Sequence, residues 1–202
     1  MESYFDCYKR NNLFYNWLAF FDVDEILIIN KNNTIQKFLK NSRYNKCELI
    51  KINWAVFTDN DQLYYEDKPL KARFTKRIKI NEKINTVVKV IIRGNLINYS
   101  SRKIIDDPHK IFKSNKTCDS NGIIKYGRYI NPPQYKYATL NHYYTKTIEE
   151  FCRKIKKGDV FSNRTLGIRL IKYFYNKFFK YNKKTKSKIL IFNKEFNLNF
   201  FH

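Results

Sequence analysis

The segment that most constrains the fold is residues 16–30, where an apolar run, Trp17-Leu18-Ala19-Phe20-Phe21, is cut by Asp22-Val23-Asp24-Glu25 and resumes as Ile26-Leu27-Ile28-Ile29. A run this rich in aromatic and β-branched residues predicts a strand buried on both faces, as in the centre of an α/β sheet. On extended backbone Asp22 and Asp24 point to one side and Val23 to the other. Two carboxylates held together beside apolar sequence suffer desolvation and mutual repulsion unless a cation or hydrogen-bond donors stabilise them. A bound divalent metal is the economical solution. Oxygen donors suit Mg²⁺ or Mn²⁺, with the remaining coordination positions filled by phosphate oxygens and water. The competing reading of so short a triplet is a surface turn between two strands.

The rest of the chain alternates strand-like and helical patterns. Ile35, Phe38 and Leu39 fall at helical spacing, and residues 47–57 return to a strand with Ile50, Ile52, Trp54 and Val56. Residues 59–67 are polar and acidic and predict a loop; Pro69 opens a short helix; residues 87–92 predict another strand. Residues 94–133 carry Asn-Gly, Asp-Pro and Pro-Pro punctuation and predict loops with short hairpin strands. A strand over 135–144 runs into the best-defined helix: Thr147 and Glu150 form a capping box, Ile148, Phe151, Cys152 and Ile155 share a face, and Lys156, Lys157 and Gly158 close the end.

Composition narrows the class. At 202 residues, with 43% hydrophobic and 17% aromatic residues, the chain is long enough for one packed domain and too apolar for wholesale disorder. The net charge of +22 attracts nucleic acid, anionic lipid or phosphorylated small molecules alike. The excess is mostly lysine in a chain biased towards Lys, Asn, Ile, Tyr and Phe, residues with A- and T-rich codons; the shortage of arginine argues against nucleic acid as the partner. The densest basic run, residues 172–188, interleaves lysines with aromatics. It reads either as a helix with one core face and one solvated lysine face, or as a peripheral membrane or single-stranded nucleic-acid contact. Cys7, Cys47, Cys118 and Cys152 show no metal or disulfide-framework spacing, so reduced, mostly buried thiols are expected. No leader-like N-terminus and no apolar stretch of about 18 residues is evident, which predicts a cytoplasmic protein.

A hydrophobic strand ending in Asp22-Val23-Asp24-Glu25, with Asn16-Trp17 before it, resembles the metal-binding signature of GT-A fold glycosyltransferases, especially the family 2 and family 92-like group. Further landmarks follow in the order of that group: Trp54 with Val56 and Phe57 before a polar loop; Lys89 and Arg93 before an irregular region with His109; Asn141-His142-Tyr143-Tyr144-Thr145-Lys146; Glu149-Glu150-Phe151 and Lys157-Gly158. The resemblance spans residues 7–159. It implies an α/β fold, a partial GT-A-like mixed sheet flanked by helices, with an irregular loop region. The catalytic region is placed at residues 1–160 and a basic, helical C-terminal extension at residues 161–202.

The resemblance implies transfer of a sugar from a nucleotide-sugar donor to a hydroxyl of a glycan or protein acceptor, with Mn²⁺ or Mg²⁺ bridging the donor diphosphate. Asp24 then holds the metal, Asp22 assists through metal, ribose or water, and His142 makes the third contact. Lys146, at a helix start, offers charge to the diphosphate together with free helix N–H groups. Asp59 is the first choice for the base that takes the acceptor proton, with Asp61 and Glu149 as rivals; Trp54, Glu25 and the tyrosines of the 62–65 loop form the substrate side. The structural alternatives are a core histidine, a solvated lysine and a core tryptophan.

A complete domain of that group has roughly one hundred residues before the acidic motif, whereas 21 precede Asp22 here. The resemblance therefore also implies a second polypeptide supplying the N-terminal half, a truncated descendant, or a reading frame opened at an internal methionine. The rival functions are a non-enzymatic basic module for nucleic acid or anionic membrane, and an inactive GT-A-like partner subunit.

Overall fold

The computed structural model describes residues 3–30, 34–96, 107–109 and 114–157. In chain order the elements are α1 (Ser3–Asn11), β1 (Trp17–Ala19), β2 (Glu25–Ile29), α2 (Ile35–Leu39), β3 (Leu49–Val56), α3 (Leu70–Arg73), β4 (Val88–Arg93), β5 (Thr117–Asp119), β6 (Ala138–His142) and α4 (Ile148–Lys157). The described residues fall into two compact units, one within 1–56 and 79–142, the other within 57–78 and 143–157.

All six strands belong to the first unit and form one mixed sheet in the order β1-β4-β3-β6-β2, with β5 joined to β3. The organiser is β3. Residues 49–53 pair antiparallel with β4, 49–51 pair parallel with β5, and 54–56 pair parallel with β6. Side chains alternate across such a strand, so Ile50 and Ile52 join Phe38, Tyr44, Ile91 and Leu140 in one cluster, while Leu49 joins Tyr8, Val90 and Ile92 in another. Burial on both faces explains why β3 and β4 read as nearly continuous apolar runs. The segment around α2 supplies Phe38 and Tyr44 to one face, and α1, an element with no counterpart in the sequence expectations, supplies Tyr8 to the other.

Residues 16–30 do not form the central strand predicted for them. They split into β1 and β2, which occupy the two edges of the sheet. β1 pairs antiparallel with β4, placing Trp17 opposite Arg93, and β2 pairs antiparallel with β6, placing Glu25 opposite His142. The break has a simple cause: Asp22 and Asp24 would be costly to desolvate inside a doubly buried strand. The chain turns there instead, and the Glu25 N–H donates to the Asp22 carbonyl at 2.9 Å. The turn between two strands, the competing reading of the triplet, is the local structure.

The cysteine expectation is also corrected. Cys47 and Cys118 form a disulfide, with both side chains buried and their Cα atoms 5.8 Å apart. The parallel pairing of β5 with the start of β3 brings them within bonding range across 71 residues of sequence. Spacing along the chain carries no signal for a bridge made by sheet register. Cys7 is a free, exposed thiol.

In the second unit, Phe57 and Arg77 form an isolated antiparallel bridge, and Phe57 and Phe74 both pack on Tyr143. Pro69 precedes α3, which stops at Arg73. The capping box forms as predicted: the Glu150 N–H donates to Thr147 Oγ1 at 3.2 Å, and Glu150 Oε2 accepts the Thr147 N–H at 3.2 Å. Ile148 and Phe151 are buried. The proposed C-terminal extension, including residues 172–188, lies outside the described residues. Among the described residues, no helix is long and apolar enough to cross a membrane.

Candidate active site

The acidic turn sits where β2 begins, and its three acids take different partners. Asp22 Oδ2 lies 2.9 Å from Lys89 Nζ, and the Asp22 side chain is 52% exposed. Asp24 is buried, with Oδ1 3.6 Å from His142 Nε2. The side chain of Glu25 is fully buried; its Oε2 accepts the Asp22 N–H at 2.8 Å and lies 3.3 Å from Lys89 Nζ. Its Oε1 accepts the Trp54 indole N–H at 2.7 Å. Burial pushes the Glu25 carboxyl above the ordinary glutamate range, against the pull of the Asp22 N–H and the Lys89 charge. Because the backbone turns at Val23, Asp22 and Asp24 are not the like-facing pair that extended backbone would have made.

Glu25, expected on the substrate side, has a fully buried side chain that bonds the Asp22 N–H and the Trp54 indole. Trp54, expected as a sugar platform or as core, is half-buried and committed at several points. Its indole N–H is bonded to Glu25, its ring centroid is 4.2 Å from that of His142, and the His109 ring meets it edge-on at 5.4 Å. Tyr135 Oη donates to the Trp54 carbonyl. His142 thereby lies between the Trp54 ring and the Asp24 carboxylate. His109 Nδ1 lies 2.5 Å from the Val88 carbonyl, which can only accept, so Nδ1 carries the proton. Burial holds the His109 pKa below the usual histidine value despite that bond.

Among the described residues, no three His, Cys, Asp or Glu side chains come together as a metal cage. Asp24 and His142 supply one oxygen and one nitrogen donor, a set acceptable to Mn²⁺ provided that diphosphate oxygens and water complete the shell. The residues fit a metal shared with a phosphate ligand and do not fit a metal held by protein alone.

Asp59 and Lys146 belong to the second unit. Asp59 is 1% exposed, and its Oδ1 accepts the Asp61 N–H at 3.0 Å. The next two residues, Asn60 and Asp61, are left-handed at φ 54° and 62°, and Lys146 is left-handed at φ 54°. Non-glycine residues in that region carry backbone strain, which concentrates at functional sites. The two rival bases are engaged: Asp61 with Lys76 at 3.4 Å, and Glu149 with Arg153 and with the Tyr65 N–H. The free helix N–H groups expected beside Lys146 are mostly taken. The Glu149 N–H donates to the Leu63 carbonyl, the Glu150 N–H to Thr147 Oγ1, and the Thr147 N–H to the Glu150 carboxylate. A capping box that supplies its own acceptors leaves little for an incoming anion.

Sequence reasoning named Lys89 only as a landmark and missed its place beneath the acids. The signal was a charged residue inside the apolar run Val87-Val88-Lys89-Val90-Ile91-Ile92, a position that costs stability unless the charge is paired. The model of glycosyltransferase family 92 matches residues 1–166 of the chain. No curated protein matches the chain at a significant level.

Proposed function

The chain belongs to glycosyltransferase family 92, and from that premise we propose that it moves a sugar from a nucleotide-sugar donor to an acceptor hydroxyl of a glycan or protein, in a metal-dependent reaction. The observation that carries the proposal is the pairing of Asp24 with His142 at 3.6 Å where β2 and β6 meet. A divalent cation bound there, Mn²⁺ or Mg²⁺, would supply positive charge to the diphosphate that leaves as the glycosidic bond breaks. Asp24 and His142 would hold it, and Asp22, half-exposed, is assigned to orient the donor through its ribose or a bound water.

In the transfer, the acceptor oxygen bonds to the sugar carbon while the bond from that carbon to the diphosphate oxygen breaks, and the acceptor proton passes to a carboxylate. We assign that carboxylate to Asp59, supported by the two left-handed residues that follow it. Lys146, itself left-handed, is assigned to the diphosphate as a point charge rather than as part of a helix-terminus anion site.

The test is titration of the full chain with UDP and GDP, with and without Mn²⁺, beside Asp24→Asn. Losing a charged contact of this kind weakens binding roughly tenfold or more, so metal-dependent affinity in the unchanged protein and its loss in the variant are expected. Absence of binding with the metal present, or equal binding by the variant, overturns the assignment.

A further inference from the structure

A lysine ammonium removed from water must be paired. The Lys89 side chain is 1% exposed and reaches two carboxylates, Glu25 Oε2 at 3.3 Å and Asp22 Oδ2 at 2.9 Å. One buried acid neutralises one buried base, and the Glu25 side chain is 0% exposed. Asp22, at 52%, would be solvated without help. The shorter contact of Lys89 is thus the one that its own burial does not require, and its effect is to immobilise a half-exposed carboxylate.

The geometry around the pair points the same way. Glu25 Oε2 also accepts the Asp22 N–H, so side chain and backbone of Asp22 are both tied to the Glu25–Lys89 pair. The other oxygen of Glu25 holds Trp54, whose ring lies against His142, the neighbour of Asp24. We propose that Lys89 is a positioning residue: held in the core by Glu25, its ammonium fixes the Asp22 carboxylate and the turn over residues 22–25, so that the acids stand in place before a donor arrives. The assignment of that ligand as a nucleotide donor rests on the glycosyltransferase reading; the ordering of the turn does not.

The experiment uses the full chain with Glu25→Gln and with Glu25→Gln/Lys89→Met. The double variant empties the core of both charges at nearly constant volume and leaves Asp22 to solvent. Two quantities are read: hydrogen exchange at the backbone N–H of residue 25 without ligand, and Mn²⁺-dependent affinity for UDP and GDP. A lost charge-assisted contact predicts exchange roughly tenfold faster, and binding weaker by a similar factor, in the double variant than in Glu25→Gln alone. Equal exchange in the two variants overturns the proposal and reduces Lys89 to a counter-ion for Glu25. Faster exchange in a chain that binds no nucleotide leaves the positioning role standing and removes the donor reading. If the double variant does not fold, Asp22→Asn replaces it. That change is made at a half-exposed position and keeps the buried Glu25–Lys89 pair, and unchanged exchange at Glu25 in it also overturns the proposal.

Discussion

Each unit contains a buried cation, and the two are finished differently. In the second unit Arg73, with 3% of its side chain exposed, grips Glu150 through two nitrogens at 2.8 and 3.0 Å. Glu150 is bonded in turn to the hydroxyl and N–H of Thr147, so the pair closes on its own helix cap. Burial alone would raise the Glu150 carboxyl, but Arg73 and Thr147 together hold it below the ordinary glutamate range. In the sheet unit, Lys89 pairs with one fully buried acid and one half-exposed acid. A base closed on one acid fixes architecture; a base that also holds an acid open to solvent fixes the presentation of that acid.

The sharpest test of the closed case is Arg73→Met. Breaking a buried pair by removing one partner costs about 3–5 kcal/mol, whereas removing both charges is often close to neutral. Urea denaturation should therefore show a large loss in the single variant and recovery of most of it in Arg73→Met/Glu150→Gln, since glutamine still serves a capping box. A loss below about 1 kcal/mol, the range of surface pairs, would mean that the second unit does not depend on this contact and the contrast with Lys89 fails. Next in size is the disulfide of the sheet unit. Cys118→Ser should cost about 2–4 kcal/mol, and reductant should lower the unchanged protein to the level of the variant. Such bonds persist in oxidising surroundings and are opened in a reducing cytosol, so equal stability with and without reductant would show that the bridge does not hold the sheet.

What was legible in the sequence follows from how local each signal is. The capping box at Thr147, the strand over β3 and the helix at Ile35 are written in contiguous residues, and each formed where it was predicted. The landmark series from Asn16 to Lys157 led to the right family, because order and spacing survive even when geometry is unknown. What was not legible depends on partners distant in sequence. The run over residues 16–30 looked continuous, yet its halves pair with β4 and β6, at opposite edges of the sheet. The Cys47–Cys118 bridge depends on the β3–β5 register. Glu25 read as part of the acidic motif, and only its buried contacts with Lys89, 64 positions further along the chain, and with Trp54 show that it anchors the turn.

Smaller effects separate the two units further. Thr147→Ala should cost about 1 kcal/mol through loss of the cap, read by urea denaturation, and should leave hydrogen exchange at the acidic turn unchanged. The smallest expected effect is a dependence on pH. Burial lowers the His109 pKa in the folded chain below its ordinary value of 6.5. Its neutral ring therefore contributes stability that is present above that value and is lost as pH falls and the unfolded chain takes up the proton first. Glu25 acts in the opposite sense: its raised pKa makes folding more favourable as pH falls towards the ordinary 4.5. Glu150, held below 4.5, contributes stability that is lost only as pH falls below that value. Comparing the unchanged protein with His109→Phe at each pH cancels Glu25 and Glu150, which are common to both. The difference in unfolding free energy should be constant above pH 6.5 and shrink below it, which assigns the mildly acidic sensitivity to the sheet unit around Trp54. A difference that stays level down to 4.5 would place that sensitivity elsewhere and remove His109 from the comparison.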